Sequence, residues 1–331
     1  MPCFNASATL EEALKSLSRQ TLQDIEINAI DDGSTDKTLA ILKSWSRHEP
    51  RLQVFTQAHT GIVGSANAGL AICTAPYIAR MDADDISHPE RLEKQAKYLD
   101  KTPNVDILSC RVTGFPKRIL RQGFMIYIEW LNSLLTDEEI RREIFVESPI
   151  PNPSVMFRKR IIEDYGAYQE HGWPEDYDMW LRLYQARVRF AKLPDILLDW
   201  RDHPARLTRT DARYSVENFL RAKAFYLAHG PLKDRSAIII WGAGMMGRRL
   251  SKHLLRLNVP IFAFIDIDPR KIGRKRRGLP ILPPDVLMKV WEKQTNPALL
   301  TAVGARGARG LIRQHLHDIG LLEGQDWWAT A

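Results

Sequence analysis

Asp82, Asp84 and Asp85 put three carboxylates into four consecutive positions, in the stretch ARMDADD. Carboxylates this close repel one another. Two arrangements make such a cluster tolerable. A hard divalent cation, Mg2+ or Mn2+, takes oxygen ligands and cancels the repulsion. Alternatively the acids cap the helix that the pattern PERLEKQAKYL announces. A second acidic pair, Asp31 and Asp32 in IDDGSTD, also follows an apolar run. A third group, Glu175, Asp176 and Asp178 in PEDYDMW, opens a helical pattern. There the acids complement the helix dipole. His203, in WRDHPARLTR, is a lone histidine near a loop, which by itself reads as an exposed residue.

The elements around these residues alternate. TLEEALKSLSRQT reads as a helix with Leu10, Ala13, Leu14 and Leu17 on one face, and Thr9 with Glu12 has the spacing of a capping box. IEINAIDDGSTD reads as a strand running into a turn, where Asp36 suits turn and cap chemistry, and a helix with Leu39, Leu42 and Trp45 inward follows. LQVFTQ reads as a strand, GIVGSANAGLAIC as a helix and PYIARMDADD as a fourth strand. This repetition predicts an α/β domain with a mostly parallel sheet, whose ligand sits at the carboxyl ends of the strands. Both acidic clusters fall there.

The pattern restarts after an amphipathic segment near residues 212–229. AIIIWGAGMMGRRLSKHLLRL and then IFAFIDIDP read as strand, Gly-rich turn, helix and strand. Gly242, Gly244 and Gly247 make a full G-x-G-x-x-G, and Asp266 and Asp268 stand a little over twenty residues on, the context of a Rossmann-type βαβ unit. The expected organisation is a catalytic domain over residues 1–211, a linker helix over 212–232 and a small Rossmann-like domain over 233–331.

Bulk composition narrows the function classes. The chain has 331 residues, 44% apolar and 26% charged, with net charge +7. No basic tail favours nucleic acid. Three cysteines, Cys3, Cys73 and Cys110, form no C-x-x-C spacing, so a disulfide framework is not expected and a reducing cytoplasm is. Residues 123–135, GFMIYIEWLNSLL, are too short and polar to span a bilayer; they read as a core helix or as an acceptor-side, interfacial one. Residues 271–278, KIGRKRRG, hold five basic side chains in eight positions: a solvated loop, or a patch attracted to anionic lipid. The expected location is cytoplasmic, with peripheral membrane association as its extension.

Several linked motifs resemble glycosyltransferase family 2, of the GT-A fold. MPCFNA, QTLQDIEINAIDDGSTDKT, GIVGSANAGLAICTAPYIARMDADDISHPERL, NPSVMFRK, PEDYDMWLRL and RDHPARLTR occur in that family's order, over about residues 1–210. The resemblance implies an inverting transfer from a nucleotide-sugar, UDP-type favoured, to a glycan or lipid-linked acceptor, as in cell-surface polysaccharide synthesis. It implies Asp84 as direct metal ligand, with Asp82 on ribose or metal and His203 approaching the metal or diphosphate. It implies Asp32 as acceptor from the nucleobase, with Pro2, Phe4 and Asn5 lying against the base. It implies Asp176 as general base, Glu175 as its neighbour in sugar binding, and Asp178 as second choice. Asp85 is then a cap or an outer group, and Arg201 and Arg209 are candidate phosphate contacts.

The chain departs from the family pattern twice. The family carries several apolar residues before its MPxxN-like segment, so a longer native product is expected. Asn152 stands in PNPSVMFR where members often carry His. The Gly-rich turn resembles small Rossmann-like domains appended to bacterial sugar-processing enzymes, which implies a structural, regulatory or ligand-sensing role. NAD-dependent catalysis is not expected there, since no Tyr follows Tyr226 and no Cys follows Cys110. Two other classes stand beside the transferase: a nucleotide-dependent oxidoreductase of sugar nucleotides centred on the second domain, and a non-catalytic sugar-nucleotide-binding module.

Overall fold

The apolar runs and turn residues of the first third give short strands separated by helices, in a computed structural model that describes residues 1–331. Chain contacts divide it into two compact units. The first comprises residues 1–140, 149–171 and 178–210; the second comprises 141–148, 172–177 and 211–331.

In the first unit β1 (Pro2–Cys3), α1 (Leu10–Ser18), β2 (Ile27–Asp31), α2 (Thr38–Trp45), β3 (Leu52–Thr56), α3 (Gly61–Ile72) and β4 (Tyr77–Ala79) follow in order. Then come β5 (Ile86–Ser87), α4 (Arg91–Lys101), β6 (Ile107–Phe115) and α5 (Gln122–Ser133). Next are α6 (Asp137–Glu143), β7 (Met156–Arg158), α7 (Arg160–Tyr165), α8 (Glu175–Gln185), β8 (Phe190–Arg201) and α9 (Leu207–Thr210), with the ends of α6 and α8 assigned across the division. β1, β2 and β3 form a parallel sheet, with Cys3 opposite Asp31 and Asp31 opposite Thr56. The second sheet has order β4-β7-β6-β8-β5. The expected mostly parallel sheet is corrected here: β6 and β8 pair parallel, whereas β4 with β7, β6 with β7 and β5 with β8 pair antiparallel. The irregular middle of the chain carries no strand–helix alternation from which those pairings could be read.

The α1 face is as expected, with Leu10, Ala13, Leu14 and Leu17 buried in one core with Ala29, Leu42, Leu99, Leu108 and Leu198. The capping box is not made. The Thr9 hydroxyl donates to the carbonyl of Ala83 at 3.0 Å instead, tying α1 to the acidic loop. Between β2 and β4 lies a cavity of about 580 Å3 lined by Met1, Ile27, Leu70, Ile78, Leu92 and Met156 among others.

The second unit contains α10 (Val216–Ala228), β9 (Ala237–Trp241), α11 (Met245–Arg256), β10 (Ile261–Ile265), β11 (Lys275–Arg276), β12 (Leu279–Leu282), α12 (Leu287–Trp291), β13 (Pro297–Thr301), α13 (Ala308–Asp318) and β14 (Trp327–Ala329). Its sheet has order β11-β12-β10-β9-β13-β14, parallel except at β11. All five residues of β9 are buried, as a central parallel strand covered on both faces requires. Gly247 begins the packing of α11: a Cβ there would stand 1.9 Å from the carbonyl oxygen of Gly242.

Candidate active site

β4 ends at Ala79, so Asp82, Asp84 and Asp85 stand in the loop beyond it rather than on the strand. One ligand oxygen from each lies within 4.8 Å of the others. The capping alternative does not hold. α4 starts at Arg91 with Glu90 as its cap residue, and no acidic side chain of the cluster reaches that helix end. Asp85 is 1% exposed. One of its oxygens accepts from the Arg201 backbone N–H at 2.8 Å, and the other is buried without a partner. Burial, then the charges of Asp84 and Asp82, push the Asp85 carboxyl well above its usual range. Burial also raises Asp82, against the opposing pull of Arg80, whose guanidinium sits 3.1 Å away. A buried, unpartnered oxygen among mutually repelling acids is what an oxygen-preferring divalent cation would satisfy. The donor set therefore fits Mg2+ or Mn2+.

His203 reaches this cluster from the far end of β8, with Nε2 2.9 Å from Asp84 Oδ2. Both candidate phosphate arginines have partners within the protein. Arg201 donates to the Asp84 carbonyl at 2.5 Å and pairs with Glu12, and Arg209 pairs with the buried Asp202 at 2.6 Å.

The second acidic pair serves the neighbouring loop. Asp32 is 1% exposed. Its Oδ1 accepts from Gln57 Nε2 at 2.6 Å and from the Thr60 N–H and hydroxyl at 3.0 Å. Its Oδ2 accepts from the Gly61 N–H at 2.9 Å and lies 2.8 Å from His59 Nδ1. Burial alone would raise this carboxyl, but the bonds from Thr60, Gln57 and Gly61 outweigh it and hold it below its usual value. A carboxylate has about four lone-pair sites, so Asp32 is saturated by the loop at residues 57–61. Gly33 must be glycine for this approach: its φ is +74°, and a Cβ would come within 2.9 Å of the His59 N–H nitrogen.

At the mouth of β1, Pro2 is buried and Phe4 is 46% exposed. The Phe4 ring stacks on His59 with centroids 4.0 Å apart. Asn5, at φ 48°, receives the Thr35 N–H on Oδ1 at 2.9 Å and donates its own N–H to Ser34 at 3.0 Å. Asp36 makes turn bonds with the N–H groups of Ser7 and Thr38, which lower its carboxyl to about 2 against the opposing effect of burial. His59 carries no motif spacing; it enters the site through the loop that Asp32 gathers.

The third acidic group opens α8. Glu175 is 3% exposed and accepts from the Tyr214 hydroxyl, at 2.7 and 3.0 Å to its two oxygens, with Arg213 3.8 Å away. Burial, then the charges of Glu175 and Asp176, push the Tyr214 phenol well above 10, so it remains a donor at any working pH. Asp176 is half-buried and accepts from the Tyr177 N–H at 2.7 Å. Asp178 is fully buried with Arg182 3.8 Å away. Asn152, in the place of the expected His, is buried and receives the Tyr168 hydroxyl at 2.8 Å. Tyr214 lies almost forty residues beyond Glu175, and no sequence pattern joins them.

In the second unit Gly242 has φ +118°, and a Cβ would strike the Ala302 carbonyl oxygen at 2.7 Å. Gly244 has open space around it. Asp266 is buried and committed: Oδ2 accepts from the Ala243 N–H at 2.9 Å and from Lys271 at 3.1 Å, and Oδ1 from the Asp268 N–H at 2.9 Å. It closes the Gly-rich turn. In the basic loop Lys271 pairs with Asp266 and Asp268, and Arg277 donates to the Arg248 carbonyl and Ser251, leaving Arg274 and Lys275 outward.

The profile of Glycosyl transferase family 2 matches residues 1–166. The amylovoran biosynthesis glycosyltransferase AmsE of Erwinia amylovora is 35% identical over 191 residues, covering 57% of this chain and 69% of AmsE. Among solved structures, residues 1–349 of S. aureus TarS in complex with UDP-GlcNAc superpose with a TM-score of 0.57 at 19% identity, covering 77% of this chain and 70% of that one. The mannosyltransferase PcManGT of Pyrobaculum calidifontis, in complex with GDP-Man and Mn2+, gives 0.51 at 16% identity, covering 78% and 67%. The two superpositions establish the GT-A fold, and with the profile match the conclusion is that this chain belongs to glycosyl transferase family 2.

Proposed function

We propose that this glycosyltransferase moves a sugar from a nucleoside-diphosphate sugar, UDP-linked by preference, to a hydroxyl of a glycan or lipid-linked acceptor in surface polysaccharide synthesis, inverting the anomeric carbon. The observation that carries the reading is the Asp82–Asp84–Asp85 cluster, which caps no helix and keeps a buried oxygen without a partner. AmsE is named for amylovoran biosynthesis; TarS was solved with UDP-GlcNAc and PcManGT with GDP-Man and Mn2+.

Asp84 and Asp82, with His203 beside Asp84, would hold Mg2+ or Mn2+. When bound, the cation supplies Lewis-acid stabilisation to the charge that grows on the departing diphosphate. Asp85 would offer its buried, unpartnered Oδ2 to the same cation. Phe4 and His59 offer a stacked aromatic surface for the base, with Pro2 and Asn5 fixing the turn beside it. Asp32 holds the 57–61 loop in place; accepting from a base N–H requires one of its present donors to leave. Asp176 takes the proton of the acceptor hydroxyl as that oxygen bonds the anomeric carbon and the bond to the diphosphate breaks. Glu175, locked by Tyr214, sets the start of the helix that carries Asp176. An oxidoreductase centred on the second unit is not favoured, because both carboxylate oxygens of Asp266 are already bonded within its own turn.

Calorimetry with UDP, GDP, dTDP and CDP, in Mn2+ and in EDTA, tests this. Binding of one nucleotide that needs Mn2+ and is lost in Asp84→Ala supports it. Equal binding in EDTA, or none to the folded protein, overturns it.

A further inference from the structure

We propose that residues 117–126 of the first unit form a ridge that docks the protein on an anionic phospholipid surface. The ridge begins two residues after β6 ends and runs through a 3-10 turn, Lys117–Ile119, into the first turns of α5. It exposes three large apolar side chains, Ile119 at 43%, Met125 at 42% and Ile126 at 37%. Lys117, Arg118 and Arg121 are exposed among them and make no ion pair. No acidic residue occurs between Asp106 and Glu129. The nearby acids of the loop after β8 and of α1 are spent: Asp202 is buried against Arg209, and Glu12 pairs with Arg201.

The opposite face of α5 is core. Ile128 and Leu131 are buried with Val112 of β6. Between the two faces stand half-buried aromatics: Tyr127 stacked on Trp130 with centroids 5.8 Å apart, and Phe124 against Trp200 at 5.2 Å. A helix with a packed face, an aromatic flank and an outer face of mixed apolar and basic groups is built for the lipid–water interface rather than for the bilayer core. No helix of the chain is long and apolar enough to cross a membrane. The unmatched positive charge selects anionic headgroups over a neutral surface.

The ridge is also wired to the acidic cluster. Phe115, the last residue of β6, pairs in register with Arg201 and lies under its guanidinium at 4.4 Å. The Arg201 backbone holds Asp85 and its side chain holds the Asp84 carbonyl. Arg206 spans Phe124 and Trp200 at 5.0 and 4.6 Å. Docking here would bring the cluster close to the headgroup layer. The basic loop at 271–278, the more obvious lipid patch in the sequence, has two of its charges tied up internally.

Flotation of the full chain with phosphatidylcholine vesicles, and with vesicles that also contain phosphatidylglycerol, tests the proposal without any sugar donor, so its outcome is independent of the transferase reading. Binding to the anionic vesicles alone, weakened by salt, is expected. Each basic side chain contributes about a fivefold gain in partition, so Lys117→Glu, Arg118→Glu and Arg121→Glu together should cost on the order of a hundredfold. Met125→Glu with Ile126→Glu should cost ~10-fold. Arg274→Glu with Lys275→Glu should leave binding within about twofold. Circular dichroism verifies that each variant is folded. Absence of binding by the wild type, persistence of binding in the triple variant, or its loss in the 274/275 variant overturns the proposal. So does a ridge variant that separates dimers in light scattering while vesicle binding is unchanged, which would make the ridge a contact between copies of the chain.

Discussion

The first unit and the second each place aspartate just beyond a strand, and the two are bonded in opposite ways. Asp266 follows β10 and has every oxygen bonded: to a turn N–H, to its neighbour's N–H and to a lysine. The cluster beyond β4 brings three carboxylates together and keeps one buried oxygen with no partner. Burial of that oxygen without a partner costs on the order of kilocalories, a cost that a cation bound at the cluster would offset. The contrast sets an acid that builds its own turn against acids that we propose hold a cation.

Substitutions break the contrast in order of effect. Asp84→Ala should lower kcat/KM about 10³-fold, since it removes a ligand of the charge-stabilising cation. The same change should leave the thermal midpoint in EDTA equal or higher, because a repelling charge is gone; a drop of many degrees would show a structural acid instead. Asp176→Asn should lower kcat ~10²-fold while nucleotide affinity stays unchanged, read by turnover and calorimetry on one preparation.

Tyr214→Phe should lower kcat about tenfold with KM unaltered, since it deletes a hydrogen bond to a buried carboxylate. Without that donor the charged form of Glu175 is less favoured. The acidic limb of the pH–rate profile should therefore move to higher pH; a profile that keeps its place would demote Tyr214 to packing. Asp266→Asn should have the smallest effect on transfer, within about twofold, while destabilising the second unit by roughly 2 kcal/mol through the lost Lys271 pair and turn bond. A transfer defect as large as that of Asp84→Ala would dissolve the contrast.

How much of this the sequence carries depends on how far apart the partners lie. Asp82, Asp84 and Asp85 are legible because the chemistry sits in four consecutive residues. The βαβ turn of the second unit is legible because its glycines answer to local backbone demands at Gly242 and Gly247. His59 and Tyr214 are not. One is gathered by hydrogen bonds to Asp32, the other arrives from a turn far down the chain, and neither contact leaves a spacing signature. The saturation of Asp32 and Asp266 is equally hidden, since it is set by which N–H groups the fold aims at them. The antiparallel strands β5 and β7 escape because each is two or three residues long and shows no periodicity.

The most direct test of the central claim is the Mn2+ electron paramagnetic resonance signal during titration with wild-type protein and then UDP or GDP. The account predicts loss of the free-ion signal at one equivalent, tightening when the accepted nucleotide is added, and a free signal throughout in Asp84→Ala. Unchanged free Mn2+ with the wild type, or equal binding by Asp84→Ala, would contradict it.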